Sequence, residues 1–166
     1  MDNINKPDKD NLGGINKFWL VLKDDITEIA CDAVEPGYRL VLDPSGTIFD
    51  PSGTIYYIYG TPDTIIFTES KNTDFNGDHY ACTLEAICPN NQNAIQRIFD
   101  EIDTKEFVIV LMDNNGNYKL FGEIDESLTF INNYSSTPNF SGLNANRIVF
   151  SRKMKKRSRF IINPFT

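Results

Sequence analysis

Phe107 to Met112 is an unbroken apolar run, and it enters a polar stretch, Asp113-Asn114-Asn115-Gly116-Asn117. The chain leaves that stretch through Tyr118, Leu120 and Phe121. Strand, polar turn with a glycine, strand: residues 106 to 122 predict a β-hairpin. This is the strongest constraint in the sequence, because it sets the class of the domain.

Upstream, a strand is expected from Ile15 through Phe18, Trp19, Leu20, Val21 and Leu22. Asp24-Asp25 turns the chain, and Ile26 to Cys31 reads as the returning strand. Glu35-Pro36-Gly37 is a further turn before a short strand, Tyr38 to Leu42. A tandem repeat follows, Asp43-Pro44-Ser45-Gly46 and Asp50-Pro51-Ser52-Gly53. Each unit suits a type I turn, and two in series predict a structured protruding loop. Thr54 to Tyr59 and Ile65 to Glu69 read as a strand pair across Gly60-Thr61-Pro62-Asp63, and Asn72 to Asp78 as a turn.

From His79 to Cys88 the sequence alternates, with Tyr80, Cys82, Leu84, Ala86 and Cys88 on one side. Pro89 ends that strand and Asn90-Asn91 can cap a helix. Ala94, Ile95, Ile98, Phe99 and Ile102 fall at helical spacing, so one helix is expected over about 91–104, laying an apolar stripe on a sheet. After the hairpin come a short strand, Leu128 to Ile131, a polar loop, Asn132 to Asn144, and a last strand, Ala145 to Ser151. The expected fold is mainly β (α+β): an antiparallel β-sandwich or partly closed barrel with one flanking helix. The expected organisation is an N-terminal arm, 1–14, a single β-rich domain, 15–151, and a basic C-terminal tail, 152–166.

A length of 166 residues suits one domain with a real core. Twelve Phe and seven Tyr suit sheets, where flat side chains pack across strands. No stretch approaches the ~20 apolar residues of a membrane span, and no membrane partner is expected. The polar start, Met1 to Asp8, does not read as a secretory signal. Cys82 and Cys88 lie six residues apart in one strand, roughly 20 Å, so they do not bond to each other. With Cys31 they read as buried thiols.

Charge is divided along the chain. Residues 1–126 hold nine Lys or Arg against all 23 acids, a net of −14, whereas residues 127–166 hold seven Lys or Arg and no acid. Such a split suits association between unlike ends of neighbouring copies, contact with an anionic partner, or simple intermixing of the charges on the folded surface. Arg152, Lys153, Lys155, Lys156, Arg157 and Arg159, ending on Phe160 and Ile161, are therefore the candidate contact residues. Their apolar terminus favours docking on a neighbouring copy over phosphate binding. Assembly driven by these charges should weaken as salt rises.

The sequence carries little catalytic equipment. His79 is the single histidine, so a nucleophile triad has one candidate base, and no nucleophile elbow precedes it. No phosphate-cradling glycine loop or zinc-binding histidine pair is present. Asp74, Asn76, Asp78 and Glu85 have part of the spacing of a calcium loop, but Gly77 is displaced and strand, not helix, follows. No enzyme activity, cofactor or metal is expected.

Asn11-Leu12-Gly13-Gly14-Ile15-Asn16-Lys17-Phe18-Trp19-Leu20 resembles the opening Gly-Gly-Ile-x-Lys strand of small phage tail-tube-like proteins, of the kind found in phages of gut Bacteroides-type bacteria. Strand 79–88, helix 91–104 and hairpin 108–122 are similar to that family in order and wording. The resemblance implies a tail-tube-like fold and a virion structural protein, a tail tube or head-tail connector (tail ring) subunit. It implies a homo-oligomeric ring, six- or twelvefold, around the channel through which DNA is ejected. Partners would be other tail or portal proteins, with non-specific proximity to DNA, in the virion tail after assembly in the host cytoplasm. The basic end and the doubled Asp-Pro-Ser-Gly loop depart from the family pattern. They leave open tube, connector, or an adaptor or surface module that recognises carbohydrate or another virion protein.

Overall fold

In a computed structural model, the structure describes residues 13–31, 38–42, 55–61, 63–75, 77–89, 93–135 and 145–164. In chain order the elements are β1 (Ile15–Leu22), β2 (Ile26–Cys31), β3 (Tyr38–Leu42), β4 (Ile55–Ile58), β5 (Ile66–Asp74), β6 (Gly77–Pro89), α1 (Asn93–Ile102), β7 (Glu106–Asp113), β8 (Tyr118–Phe121), β9 (Leu128–Thr129), β10 (Ile131–Ser135), β11 (Ala145–Met154) and β12 (Arg159–Ile161). Among the described residues the fold is mainly β with one flanking helix, as the sequence predicts, and its sheets do not close into a barrel.

One sheet runs β2-β3-β12-β8-β7-β1-β4, with β9 on the end of β7; the other runs β10-β11-β6-β5. Pairing is antiparallel apart from the single register pair Ile161↔Tyr38 between β12 and β3. The apolar run of 107–112 is explained by its place as β7, bonded to β1, β8 and β9. Phe107, Ile109 and Leu111 enter a core shared with β6, β11 and α1, while Val108 and Val110 join a second core with Val21, Ile26, Leu120 and Ile161. All five β7 side chains are fully buried. Burying each contributes about 1.5–3 kcal/mol.

The second core reveals the shape of the larger sheet. Leu22 ends β1 and Ile26 begins β2 after a 3-10 turn, Lys23–Asp25. Four residue steps span at most ~14 Å. Laid flat, the five steps from β1 to β2 in strand order would separate them by ~24 Å. The sheet must therefore curl until β2 returns towards β1, and Ile26 and Val21 then share one apolar cluster. Ile26 to Cys31 does not return along β1, as expected from sequence, but pairs with β3. The neighbours of β1 are β4 and β7.

Three further expectations change. Thr54 to Tyr59 and Ile65 to Glu69 do not form a pair; β4 lies in the larger sheet and β5 in the smaller. The segment between them switches sheets at Gly60, where an added Cβ would lie 2.7 Å from Ile65 Cγ1 and 3.4 Å from Ala86 Cβ. The strand expected over 128–131 breaks at buried Phe130, which separates β9 in one sheet from β10 in the other. In α1, Phe99 and Ile102 face the core but Ile98 is 45% exposed, so the apolar stripe is narrower than the spacing suggests. The doubled Asp-Pro-Ser-Gly loop, the arm 1–12, Glu35-Pro36-Gly37 and the Asn90-Asn91 cap lie outside the described residues, as do 136–144 of the expected polar loop.

Candidate interaction surface

The basic segment is built into the domain and does not leave it as a tail. β11 continues to Met154, its Arg152, Lys153 and Met154 pairing with Cys82, Ala81 and Tyr80 of β6. After a short connection, β12 inserts beside β8, with Phe160 opposite Lys119 and Ile161 opposite Tyr118. Four of its cations, Lys153, Lys156, Arg157 and Arg159, meet acids from the earlier part of the chain. Arg152 donates to the Ser127 carbonyl, and Arg159 to Glu123. Lys156 Nζ lies 3.5 Å from Glu123, Arg157 Nε 3.9 Å from Glu69, and Lys153 Nζ 4.0 Å from Asp74. The Lys155 amide donates to the Glu126 carboxylate at 3.0 Å. Folding thus intermixes the two charge blocks on one molecule.

Glu69 is the anchor of this arrangement. Its Oε2 accepts the Ser158 amide at 2.7 Å and the Ser158 hydroxyl, tying the β11–β12 connection to β5. Burial pushes the Glu69 carboxyl up, but the Ser158 hydroxyl and amide, with Lys119 and Arg157, outweigh it and hold it below its ordinary value. Cys82 donates weakly to the same carboxylate at 3.8 Å. Burial, then the charge of Glu69, pushes this thiol up to about 11, which suits an inert packing group.

Of the expected contact residues, Ile161 is buried in the second core, whereas Phe160 is 61% exposed. Phe160 borders an open groove of about 710 Å³. Its apolar wall is Tyr57 and Tyr59 at the end of β4, Ile66 and Phe67 at the start of β5, and Phe160 itself. Lys119 lies between two of these rings, 5.3 Å from the Phe67 centroid and 5.7 Å from that of Phe160. Tyr57 and Tyr59 are each 51% exposed and Ile66 is 53% exposed. Among the described residues, β4 and β5 each lie at an edge of their sheets, so the groove sits where two edges meet.

The polar side of the groove is the β7–β8 turn. Asp113 Oδ1 accepts the amides of Asn115 and Asn117 at 2.8 Å each, and Oδ2 accepts Asn117 Nδ2 at 2.9 Å. Burial raises this carboxyl, but these donors, led by the Asn117 side chain, hold it low. Asn114 Nδ2 donates to the Gly13 carbonyl at 2.6 Å, and its amide to the Gly14 carbonyl at 3.2 Å. Gly14 has φ +98°, a conformation that glycine adopts without strain, so the start of β1 is folded against the turn.

The expected turn over Asn72 to Asp78 is shorter than its composition suggests. β5 and β6 stay paired through Asn72↔His79, Thr73↔Asp78 and Asp74↔Gly77, leaving Phe75 at the tip, fully exposed. Lys71 Nζ meets Asp78 at 2.5 Å, Thr73 Oγ1 donates to Asp78 at 2.6 Å, and His79 Nδ1 lies 3.5 Å from Asp74. Lys71 holds the Asp78 carboxyl below its ordinary value. Glu85, the last residue of the calcium-like spacing, meets Arg147 at 2.6 Å; Asn76 lies outside the described residues. Among the described residues, no group of three or more His, Cys, Asp or Glu is placed to hold a metal ion. Sequence reasoning missed both Phe75 and the groove. The signal for Phe75 was a large aromatic inside a run of turn residues.

No protein-family model matches the chain, and no curated protein and no solved structure matches it.

Proposed function

We propose that this chain is a non-enzymatic virion structural protein. In this reading it is a phage tail tube or head-tail connector subunit that assembles into a ring around the DNA channel. The observation that carries the reading is the exposed apolar surface at the meeting of two sheet edges, where Tyr57, Tyr59, Ile66 and Phe160 are each more than half exposed. A contiguous patch of this kind marks an interaction site, and open strand edges favour pairing with another chain. The resemblance of residues 11–20 and 79–122 to tail-tube-like proteins supports a partner that is another copy or a neighbouring virion protein. The sequence's net charge of −7 suits a conduit that must not hold DNA.

The cations of 152–159 contribute to this reading differently from a free basic tail. They fix β12 within the sheet, and β12 presents Phe160. Negative-stain imaging of concentrated protein tests the proposal. Rings or stacked rings of sixfold or twelvefold symmetry are expected. A field of isolated single-subunit particles, or turnover of a substrate, would overturn it.

A further inference from the structure

Phe75 and the groove lie at opposite ends of one hairpin. Phe67 lines the groove, and Phe75 is eight residues farther along, roughly 27 Å at ~3.4 Å per residue. The tip therefore does not reach the groove of its own molecule, in keeping with its full exposure. We infer that the tip of one copy, led by Phe75, seats in the groove of the next, so that copies join head to tail. This rests on the assembly reading above and names its contact.

Three observations favour a second copy as the occupant. First, the tip is carried on a braced stalk. Among the described residues, β11 accompanies β6 only as far as Tyr80, and beyond it 72–74 and 77–79 form a two-stranded ribbon. The ribbon projects about 10 Å, and Lys71, Thr73, Asp74, Asp78 and His79 link its strands. An aromatic held this way loses little freedom on docking. Second, the groove is larger than one ring needs. At about 710 Å³ it has room for the Phe75 ring and more of the tip.

Third, both surfaces are apolar and neither is strongly charged. The four exposed groove side chains offer roughly 400 Å² of largely apolar surface and Phe75 about 200 Å² more. That is below the ~1,200 Å² of a stable pairwise interface. One such contact is weak, and a closed ring, in which every copy uses both surfaces, reinforces it. The stalk acids Asp74 and Asp78 have cationic neighbours in Lys153 and Lys71. Lys17 and Lys119 share the groove with Asp63 and Asp113. Neither surface carries a large excess of one sign, which suits an apolar contact between identical chains.

The test uses two variants of the full chain, Phe75→Asp, which keeps the groove, and Phe160→Asp, which keeps the tip. Both residues are exposed, so both variants should retain the wild-type melting behaviour; Tyr59→Asp replaces Phe160→Asp if β12 is disturbed. Each variant alone should associate roughly tenfold or more weakly than wild type in sedimentation velocity. Because one contact is weak, the equimolar mixture is read at the highest attainable concentration, where it should form dimers and nothing larger, one intact tip meeting one intact groove. Wild-type association with Phe75→Asp unaffected would overturn the contact and leave the assembly reading standing. A wild-type chain that stays monomeric would overturn both. Weak variants whose mixture fails to pair would overturn the head-to-tail geometry.

Discussion

Glu69→Ala should loosen the join between the two sheets. Glu69 Oε2 holds both the amide and the hydroxyl of Ser158, a residue only 5% exposed. Truncation leaves two buried donors without their acceptor, at about 1–3 kcal/mol for each group left unsatisfied. The hydroxyl can turn and water can enter the space, and the variant recovers the desolvation cost of a partly buried carboxylate. The Arg157 contact, with that side chain 72% exposed, adds at most about 0.5 kcal/mol. The net loss is about 2 kcal/mol, which for a chain of this size lowers the melting temperature by about 4–8 °C. The pH dependence has a definite sign. The folded carboxyl titrates below its ordinary 4.5, so its contribution is complete above that value. It fades as pH falls through the lower folded value. The difference between wild type and variant, read from urea and thermal melts, should be largest near neutrality and shrink on acidification. Equal melting at neutral pH, or a difference that does not change with acid, would refute the anchoring role.

Gly60→Ala should destabilise by about 1–3 kcal/mol, since its Cβ would lie 2.7 Å from buried Ile65 in a packed region; an unchanged urea midpoint would contradict the close approach. Cys82, with its thiol pushed up to about 11, and Cys88, raised by burial, should resist alkylation in the native state. Both should label on unfolding, and rapid native labelling of either, mapped by peptide mass spectrometry, would contradict their placement. Asn146 is 1% exposed, and its amide nitrogen and oxygen have no hydrogen-bond partner among the described residues. Asn146→Val should therefore stabilise by about 1 kcal/mol, and a clear loss in a thermal melt would show that the amide has a partner.

What the sequence discloses about this fold is what its residues determine locally. The 106–122 hairpin is legible because the apolar run and the turn lie together, and Asp113 closes the turn on its own neighbours. The alternation of 79–88 survives as β6 because one of its faces is the core. Strand partners are less visible. Nothing in Ile26 to Cys31 says that its neighbour is β3 and not β1, since that choice follows from the curl of the whole sheet. Likewise β4 and β5 look like a hairpin until Gly60 lets the chain change sheets.

The candidate interaction surface was legible in one residue and hidden in the rest. Phe160 was a candidate from sequence and lies on the groove. Its basic neighbours looked like a free tail because their partners, Glu69, Glu123 and Glu126, lie 29 or more positions away. The groove draws side chains from β4, β5, β8 and β12 and from the β7–β8 turn, so no single segment announces it.

Sedimentation velocity of the wild-type chain, over a concentration series at low and high salt, decides whether copies join through an apolar contact. Species heavier than the 18.9 kDa subunit should grow with concentration and persist in high salt, because the cations of 152–159 are largely answered within their own molecule. A single 18.9 kDa boundary throughout, or association that dissolves as salt rises, would contradict it.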